Sequence, residues 1–487
     1  MRDRCEATRD GFIGMFLDVV NAYPDQAAIT MLNGQETGAT LSYGELNALA
    51  ERLRFTLLAR GVAPGETVLL QLATGPWSAA AMLAISSLGA IFAPINPDLT
   101  DFELSRIVED CQPVGVLSAQ RPPASRSIRF VIASEADLMA GHSALRVPDG
   151  NPVISCHYTY KGLGYPLGVL HRYEQYSWCL RALTASHAPQ AVGAVHLLAL
   201  PVYQIYGAIG GLLGPLASGC HLLVSRDIFD QDIPQLLERH QVSFLCVVPL
   251  LLKRITMGLR RKQTPKGAYR LHKDLFIVSG GSLMPAETAA DMREMLGVEV
   301  YQGYGLTETM PVCGTLPGHN KPGSLGRPYA DFLEMAVLDA ESQPLAAGCA
   351  GIIGFRGPTL TLGFLNHPEL TDEFFRNGWF HTGDLGYRDD DGYLWFLGRA
   401  GAFTKVASQM VDLTEVEGIL ATFPGVKKAR MTVDMHAELG EMLVASVELK
   451  AGAGVTKKDL RAACSALLST YKVPRQYRIY SSPKKEV

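Results

Sequence analysis

The sequence lacks any cysteine pair or cysteine-histidine cluster at the spacing of a metal site. Its nine cysteines stand singly, without a CxxC motif. This arrangement argues against structural zinc and against a disulfide framework. The first residues, "MRDRCEATRDGFIGMF", also lack the apolar stretch and small-residue cleavage site of a secretory signal. Reduced thiols without such a signal predict a cytoplasmic protein.

Blocks of basic residues are missing as well. The chain of 487 residues has 44 Lys and Arg against 48 Asp and Glu, a net charge of -4. A nucleic-acid-binding protein would show a basic patch, so we expect no nucleic-acid partner. Hydrophobic residues make up 47% and charged residues 19%. This balance predicts a folded globular chain, long enough for two or three domains.

A long uninterrupted apolar run is also absent. Residues 191–221, "AVGAVHLLALPVYQIYGAIGGLLGPLASGCH", have no charge but contain Pro201, Gln204 and Pro215. A membrane span needs about 20 continuous apolar residues. We therefore predict a buried strand ending near Pro201, a helix of small residues from about Ile205, and no membrane span.

What is present is an alternation of short β-rich runs and helical patterns. "ETVLLQLA" precedes "WSAAAMLAISSLGA", and "SFLCVVP" precedes "LLLKRITMGL". This order predicts an α/β fold of parallel sheets covered by helices, with ligands beyond the carboxyl ends of the strands. From about Gly351, glycine-bearing alternating runs predict a small β unit. In the last part of the chain, Asp412 with Glu415 fits a helix capping box.

These patterns predict a large N-terminal domain of helix-covered sheets plus a small β unit, residues 1–398. A small mobile α+β C-terminal domain, residues 403–487, follows it. Residues 399–402 are the predicted hinge, where Gly401 offers conformational freedom.

The most informative run is "YQGYGLTET", residues 301–309. A turn with two glycines would bring together the aromatic face of Tyr304, the hydroxyl of Thr307 and the carboxylate of Glu308. These groups suit a base, a phosphate and Mg²⁺ respectively. On their own, these residues fit structural roles equally well: Tyr304 as a packed core residue, Thr307 as a helix cap and Glu308 as an acidic residue in the first turn of a helix.

Three runs together resemble the adenylate-forming superfamily of acyl-CoA synthetases, peptide-synthetase adenylation domains and luciferases. They are "GYGLTE", "GWFHTGDLGYRDDDGYLWFLGR" and "YKVPRQY", in the family's order. The opening run "TLSYGELNALAERLRFTLLARGVAPGETVLL" is also similar to the family's first segment, so the resemblance covers nearly the whole chain. It implies that a carboxylic acid attacks the α-phosphate of ATP, and that the resulting acyl-adenylate passes its acyl group to a nucleophile.

The resemblance also implies roles for individual residues. In the catalytic centre, Thr307 would hold the α-phosphate, Glu308 would coordinate Mg²⁺, and Gln204 would face the carboxylate. Nucleotide contacts fall on Thr159, Lys161, Gly162, Gly164, Gly280, Gly281, Ser282, Gln302, Tyr304, Asp384 and Arg399. Acid-pocket residues fall on Tyr203, Gln204, Tyr206, Gly207 and Gly303.

The phosphate loop departs from the family pattern. "YTYKGLGYPLGV" stands where YTSGSTGxPKGV is usual, so Leu167 replaces the lysine, Tyr160 a serine and Lys161 a glycine. Leucine cannot donate to a phosphate, and a lost charge-assisted hydrogen bond costs about 1.5 to 3 kcal/mol. We expect Lys161 to supply the missing charge from the other side of the loop.

The C-terminal segment departs further. Ala407 and Ser408 stand where a glycine pair often lines the tunnel for the thiol. The closing run "YKVPRQYRIYSSPKKEV" stops just short of the family's adenylation lysine, and neither Lys484 nor Lys485 is an obvious replacement. Either the sequence stops early, or the acid is activated without that lysine.

The leading hypothesis is an AMP-forming acid-thiol ligase that uses ATP and Mg²⁺. Its substrate would be a small carboxylic acid, aromatic or medium-chain, and its acceptor CoA or the phosphopantetheine of an acyl carrier protein. Two alternatives stay open. Ala407 and Ser408 fit transfer to an amine, and Leu167 fits a non-catalytic relative that binds nucleotide or adenylate.

Overall fold

The computed structural model describes residues 11–120, 125–186, 191–225, 227–399, 401, 403–406, 409–436, 440–450 and 452–481. Helices in these parts of the chain are Phe12–Ala22, Tyr43–Ala59, Pro76–Ser87, Asp101–Cys111, Tyr173–Ser186, Gly214–Ala217, Ile233–Arg239, Pro249–Arg261, Ala286–Leu296, Pro368–Phe374, Leu413–Thr422 and Lys457–Leu467. Short 3₁₀ turns lie at Glu135–Asp137, Ile228–Asp230 and Thr470–Lys472.

The larger of two mixed sheets in the N-terminal part has nine strands within the described residues. Its order is Arg327–Pro328, Met310–Gly314, Val300–Leu306, Phe276–Ser279, Phe244–Val247, Val195–Leu198, His221–Val224, Ala27–Asn33 and Glu36–Ser42. The six strands from Val300–Leu306 to Ala27–Asn33 run parallel, and the strands at both edges run antiparallel. Phe244–Val247 is buried along its whole length, as expected for a parallel strand covered on both faces.

The second sheet contains the predicted phosphate loop. Counting described residues alone, it has seven strands, in the order Gly363–Phe364, Leu167–Arg172, Val153–Thr159, Ile91–Pro94, Thr67–Gln71, Gly115–Ser118 and Phe130–Ile132. Val153–Thr159 and Leu167–Arg172 form an antiparallel hairpin, and the loop lies at its tip. A single apolar cluster joins this sheet, the larger sheet and their helices, for example through Phe92, Leu198 and Leu252.

The small β unit is an antiparallel sheet of Glu334–Leu338, Gly351–Arg356, Trp379–Arg388, Phe375–Arg376 and Leu394–Arg399. It therefore begins before Gly351, where the sequence pattern placed its start. After it come the pair Phe403–Val406 and Gln409–Asp412, then the sheet Val426–His436, Gly440–Leu449 and Gln476–Ser481. These five strands and the helices Leu413–Thr422 and Lys457–Leu467 form the C-terminal unit. It has its own apolar cluster, which includes Val411, Leu460 and Tyr477.

The uncharged segment 191–221 forms a strand, Val195–Leu198, and then a helical stretch, as predicted. Gly207–Leu213 is π-helical, however, and only Gly214–Ala217 continues as an α-helix. π-helical turns are uncommon and often lie at functional sites. No described helix is both long and apolar enough to cross a membrane.

Candidate functional site

A cavity lies at the carboxyl ends of the central parallel strands, where ligands bind in open α/β sheets. The loops after Val153–Thr159 and Phe276–Ser279 line it, together with the end of Val300–Leu306. The hairpin made by Phe403–Val406 and Gln409–Asp412 covers it. Predicted residues that line this cavity are Thr159, Lys161, Tyr203, Gln204, Tyr206, Gly280, Gly281, Gly303, Tyr304, Thr307 and Glu308. Ser282, Gln302 and Arg399 line an adjoining pocket.

The run "YQGYGLTET" is a strand and a hairpin, and the prediction of a turn at its glycines was wrong. Val300–Leu306 pairs with Met310–Gly314, and only residues 307–309 make the turn. Since the next element is a strand, Thr307 is not a helix cap and Glu308 is not a first-turn acid. The hairpin instead presents both side chains to the cavity.

Tyr304, Asp384 and Arg399 form a connected group. The phenol of Tyr304 donates to Asp384 Oδ2 at 2.7 Å, and Arg399 Nε lies 3.0 Å from Asp384 Oδ1. Burial, followed by the charge of Asp384, raises the pKa of Tyr304 well above its usual value, so the phenol keeps its proton. The sequence placed these three residues at one nucleotide site, and the structure brings them together.

Gln302 organises the loop after Phe276–Ser279. Its amide nitrogen donates to the carbonyls of Ser279 at 3.2 Å and Ser282 at 3.3 Å, and its oxygen accepts from Met284 N at 2.8 Å. These bonds fix the backbone of Gly280 and the residues after it. Gln302 thus supports the loop of Gly280, Gly281 and Ser282, which the resemblance assigns to nucleotide contacts.

Lys161 and Glu308 form a buried ion pair. Lys161 Nζ lies 2.8 Å from Glu308 Oε1, and the two side chains are 3% and 1% exposed. A buried charge needs a close partner of opposite charge, and each of these two side chains is that partner for the other. Lys161 was expected to bind a phosphate and Glu308 was expected to bind Mg²⁺. In the structure these two side chains pair with each other instead.

Lys405 is a site residue that the sequence reasoning missed. It extends from the C-terminal hairpin and donates to the Gly281 carbonyl at 2.6 Å. Burial, with the nearby cations Arg399 and Lys161, lowers the pKa of Lys405 to about 7. One sequence signal was available: a single lysine in the apolar run "AFTKV", shortly after the "GR" motif.

The charges around the cavity balance when Lys405 is neutral and leave one excess positive charge when Lys405 is protonated. Lys161, Arg399 and Lys405 carry positive charge when protonated, whereas Glu308 and Asp384 are the facing carboxylates among the described residues. An excess of buried positive charge favours an anion. A phosphate of a nucleotide fits this requirement.

Gly162 and Gly164 do not line the cavity. They contact the C-terminal unit: Asp412 accepts from Gly164 N at 2.7 Å, and Thr414 Oγ1 donates to the Gly162 carbonyl at 3.1 Å. Both glycines have positive φ angles of about 80°, which other residues rarely adopt. Leu167 is fully buried in an apolar cluster with Val169 and Phe364, so it faces the core.

A second buried ion cluster joins this loop to the C-terminal unit. Lys472 Nζ lies 2.6 Å from Glu103 and 2.9 Å from Glu415, and it donates to Tyr160 Oη at 2.9 Å. Arg106 also pairs with Glu415, at 2.9 Å. Although burial opposes a charge on Lys472, the surrounding oxygens raise its pKa well above the ordinary value.

The predicted capping box at Leu413–Thr422 is therefore half wrong. The Asp412 carboxylate accepts from the backbone nitrogens of Thr414 and Glu415, as an N-cap does. The carboxylate of Glu415 instead reaches Lys472 and is buried. Burial, despite Lys472, raises the pKa of Glu415.

The predicted acid pocket is aromatic. Tyr203, Gln204, Tyr206 and Gly303 line it, whereas Gly207 lies outside the lining and packs against the Pro201 carbonyl. Tyr329 and His157 are among the lining residues that the sequence reasoning missed. Burial lowers the pKa of His157 to about 4, so this histidine is neutral at pH 7.

Other predicted positions fall elsewhere. Gly401, the proposed hinge, is exposed with a φ of 146°. Ala407, Ser408, Lys484 and Lys485 lie outside the described residues. Among the residues that are described, no group of three or more His, Cys, Asp and Glu side chains could hold a metal ion.

Comparison with known proteins identifies the family of this chain. The profile of the AMP-binding enzyme family matches residues 16–365, and that of the AMP-binding enzyme C-terminal domain matches residues 415–486. The chain belongs to the AMP-binding enzyme family. The resemblance seen in the motifs and the prediction of an enzyme are both confirmed.

Several AMP-binding enzymes match this one over nearly its whole length. An oxalate-CoA ligase from Arabidopsis thaliana is 26% identical, covering 96% of this chain and 94% of its own. An o-succinylbenzoate CoA synthetase from Bacillus subtilis has a TM-score of 0.84 at 22% identity, covering 96% of this chain and 94% of its own. An amide bond synthetase from Marinactinospora thermotolerans has a TM-score of 0.82 at 21% identity, covering 97% and 96%. These two structures confirm the predicted α/β fold with a large N-terminal and a small C-terminal part.

Proposed function

We propose that this AMP-binding enzyme activates a carboxylic acid with ATP and transfers the acyl group to a thiol, either CoA or the phosphopantetheine of a carrier protein. The excess of positive charge around the cavity is the observation that supports this most directly. Lys161, Arg399 and Lys405 face Glu308 and Asp384, which leaves a place for the phosphate of an adenylate. The relatives named as CoA ligases favour a thiol acceptor.

In the first step an oxygen of the substrate carboxylate attacks the α-phosphorus of ATP, and the bond to pyrophosphate breaks. Negative charge accumulates on the phosphate and needs fixed cations and donors. Thr307 and Lys405 are the described groups suited to this task, because both line the cavity. Asp384 would accept from the ribose hydroxyls, and its contact with Arg399 orients it.

In the second step a thiolate attacks the acyl carbon, the mixed anhydride breaks, and AMP leaves with the electron pair. The C-terminal hairpin covers the cavity in the described arrangement and brings Lys405 to it. A cation at this position stabilises the departing phosphate. Mg²⁺, when bound with ATP, would add charge neutralisation at the phosphates, and Glu308 is the carboxylate available to it.

The acid pocket favours an uncharged aromatic or medium-chain tail. The part of its wall made by Tyr203, Tyr206, Tyr329, Val248 and Val278 is uncharged, whereas Lys161, Glu308 and Lys405 line the same cavity. A second carboxylate packed against these five uncharged side chains would stay unpaired, which is costly in an apolar environment. We therefore expect monocarboxylic acids to react better than dicarboxylic acids of similar size.

The test is a panel of aromatic, medium-chain and dicarboxylic acids with ATP and Mg²⁺, followed by pyrophosphate detection. With CoA present, mass spectrometry should find the acyl-CoA thioester. Asp384→Asn removes the partner of Arg399 and should lower the turnover at least tenfold, since a charge-assisted hydrogen bond contributes about 1.5 to 3 kcal/mol.

Other outcomes would contradict the proposal in distinct ways. Pyrophosphate release with an amide product, and no thioester, would favour transfer to an amine. ATP binding without pyrophosphate release from any acid would favour a non-catalytic nucleotide-binding protein.

A further inference from the structure

We propose that Lys161 is a built-in counter-ion that occupies the Glu308 carboxylate in place of a divalent metal, so that metal binds there only together with a polyphosphate. The inference rests on the proposed function in one respect, since that function names ATP as the polyphosphate. It starts from the contact of the Glu308 carboxylate with the ammonium of Lys161, at 2.8 Å.

Both partners are held in place from different sheets. Lys161 is the second residue after the strand Val153–Thr159, and Glu308 lies at the tip of the hairpin that follows Val300–Leu306. The backbone carbonyl of Glu308 accepts from Thr361 N at 2.7 Å, which anchors the tip. The contact between the two side chains is therefore fixed by the fold.

Aromatic rings surround the ammonium on its other sides. Lys161 Nζ lies 5.2 Å from the ring centre of Phe374, 5.7 Å from that of Phe403 and 6.0 Å from that of Phe380. Ring faces attract a cation and exclude water. A lysine whose ammonium stayed in water would not need these rings. An ammonium that stays beside Glu308 does need them, because it is held away from water.

Two cations cannot share one carboxylate oxygen at close range without strong repulsion. Mg²⁺ binds carboxylate oxygens at about 2.0 to 2.1 Å and takes only one or two of them when phosphates supply the rest. Lys161 occupies Oε1 of Glu308, and Lys405, which lines the same cavity, adds positive charge when it is protonated. A metal without phosphate therefore meets an occupied carboxylate in a positively charged site.

A polyphosphate changes this balance, because it gives the ammonium another anion and brings additional metal ligands. Metal and nucleotide would then bind together, and either alone would bind less well. Once pyrophosphate leaves, Lys161 can return to Glu308, so the carboxylate is neutralised during acyl transfer without a metal ion.

The experiment is a titration of the full chain with Mn²⁺, in which electron paramagnetic resonance measures the free ion. It is run without nucleotide, with AMP, and with a non-hydrolysable ATP analogue. Wild-type protein should bind Mn²⁺ tightly only with the ATP analogue. Lys161→Met removes the ammonium and should bind Mn²⁺ without nucleotide about tenfold more tightly than wild type, the lower end of the effect of a close pair of opposite charges. Adding Glu308→Gln to this variant should abolish that gain.

Two further variants keep the test decisive. Lys161→Arg retains the charge and should behave like wild type. Lys161→Gln keeps a donor for Glu308 without the charge, and it replaces Lys161→Met if thermal melting shows that the methionine variant does not fold. The proposal would be overturned if, without nucleotide, wild type and both uncharged variants bound Mn²⁺ with equal affinity. It would also be overturned if wild type bound Mn²⁺ tightly without nucleotide. None of these measurements needs turnover, so failure of the acid panel leaves them interpretable.

Discussion

Lys405 has an unusual protonation state for a lysine. Its pKa of about 7 lies far below the ordinary value near 10.4, because the side chain is shielded from water and stands near Arg399 and Lys161. At pH 8 most Lys405 side chains are therefore neutral in the free protein. A phosphate placed beside the amine favours the charged form and raises the pKa again.

This predicts that AMP binding at pH 8 is coupled to the uptake of up to about one proton, since the bound anion raises the pKa of Lys405 above the pH. Calorimetric titrations in two buffers with different ionisation enthalpies measure the number of protons. Lys405→Met should lose the uptake and weaken AMP binding. Proton uptake by the variant equal to that of wild type would assign the proton to another group.

The strand Leu167–Arg172 explains why the phosphate loop lacks its usual lysine. Leu167 is the first residue of the strand and packs in an apolar cluster with Val169, Phe364 and their neighbours. A lysine there would bury an unpaired ammonium among apolar side chains. The charge in this loop stands instead at Lys161, six positions earlier in the sequence.

We therefore predict that Leu167→Lys, although it restores the family residue, destabilises the protein and does not tighten ATP binding. The matched control Leu167→Ala creates a cavity and should cost about 2 to 5 kcal/mol. The lysine variant should lose at least as much, measured as a shift in the urea unfolding midpoint. Wild-type stability together with tighter ATP binding would show that the side chain at 167 reaches the phosphate.

Sequence patterns within short segments predicted several helices and strands well. They did not predict contacts between residues that are far apart in the sequence. The strands Thr67–Gln71, Val195–Leu198 and Phe244–Val247 and the helices Pro76–Ser87 and Pro249–Arg261 follow local periodicity, so the sequence located them. The hairpin at Glu308 was missed because glycines favour turns as readily as close strand pairing. Lys405 and Lys472 were missed because their partners come from other parts of the chain, and only docking of the C-terminal unit brings them together.

At the scale of the whole molecule, the buried cluster around Lys472 holds the C-terminal unit against the N-terminal part. Lys472 and Glu415 belong to the C-terminal unit, whereas Glu103, Arg106 and Tyr160 do not. Removing one partner of a buried ion pair leaves an uncompensated charge and costs about 3 to 5 kcal/mol. This is enough to change how often the two parts separate.

Lys472→Met should therefore favour a more open arrangement, because it leaves Glu103 and Glu415 facing each other without a cation. Small-angle X-ray scattering should show a larger radius of gyration, and proteases should cut more readily near residues 399–402. Arg478→Gln is the matched control, since it removes an exposed ion pair with Asp434 in the same unit. Unchanged scattering of Lys472→Met would mean that other contacts hold the unit in place.

The phosphate loop has two sets of partners. Asp412 and Thr414 of the C-terminal unit bind its backbone at Gly164 and Gly162, and its other side faces the cavity. Some ligands bind best when the C-terminal unit is docked on the loop. Such a ligand must raise the equilibrium constant for docking by the same factor by which docking raises the affinity for the ligand. A ligand that requires another loop shape must release the unit by the corresponding factor. Occupancy of the cavity and position of the C-terminal unit are thus two readouts of one coupled equilibrium, and measuring either one reports on the other.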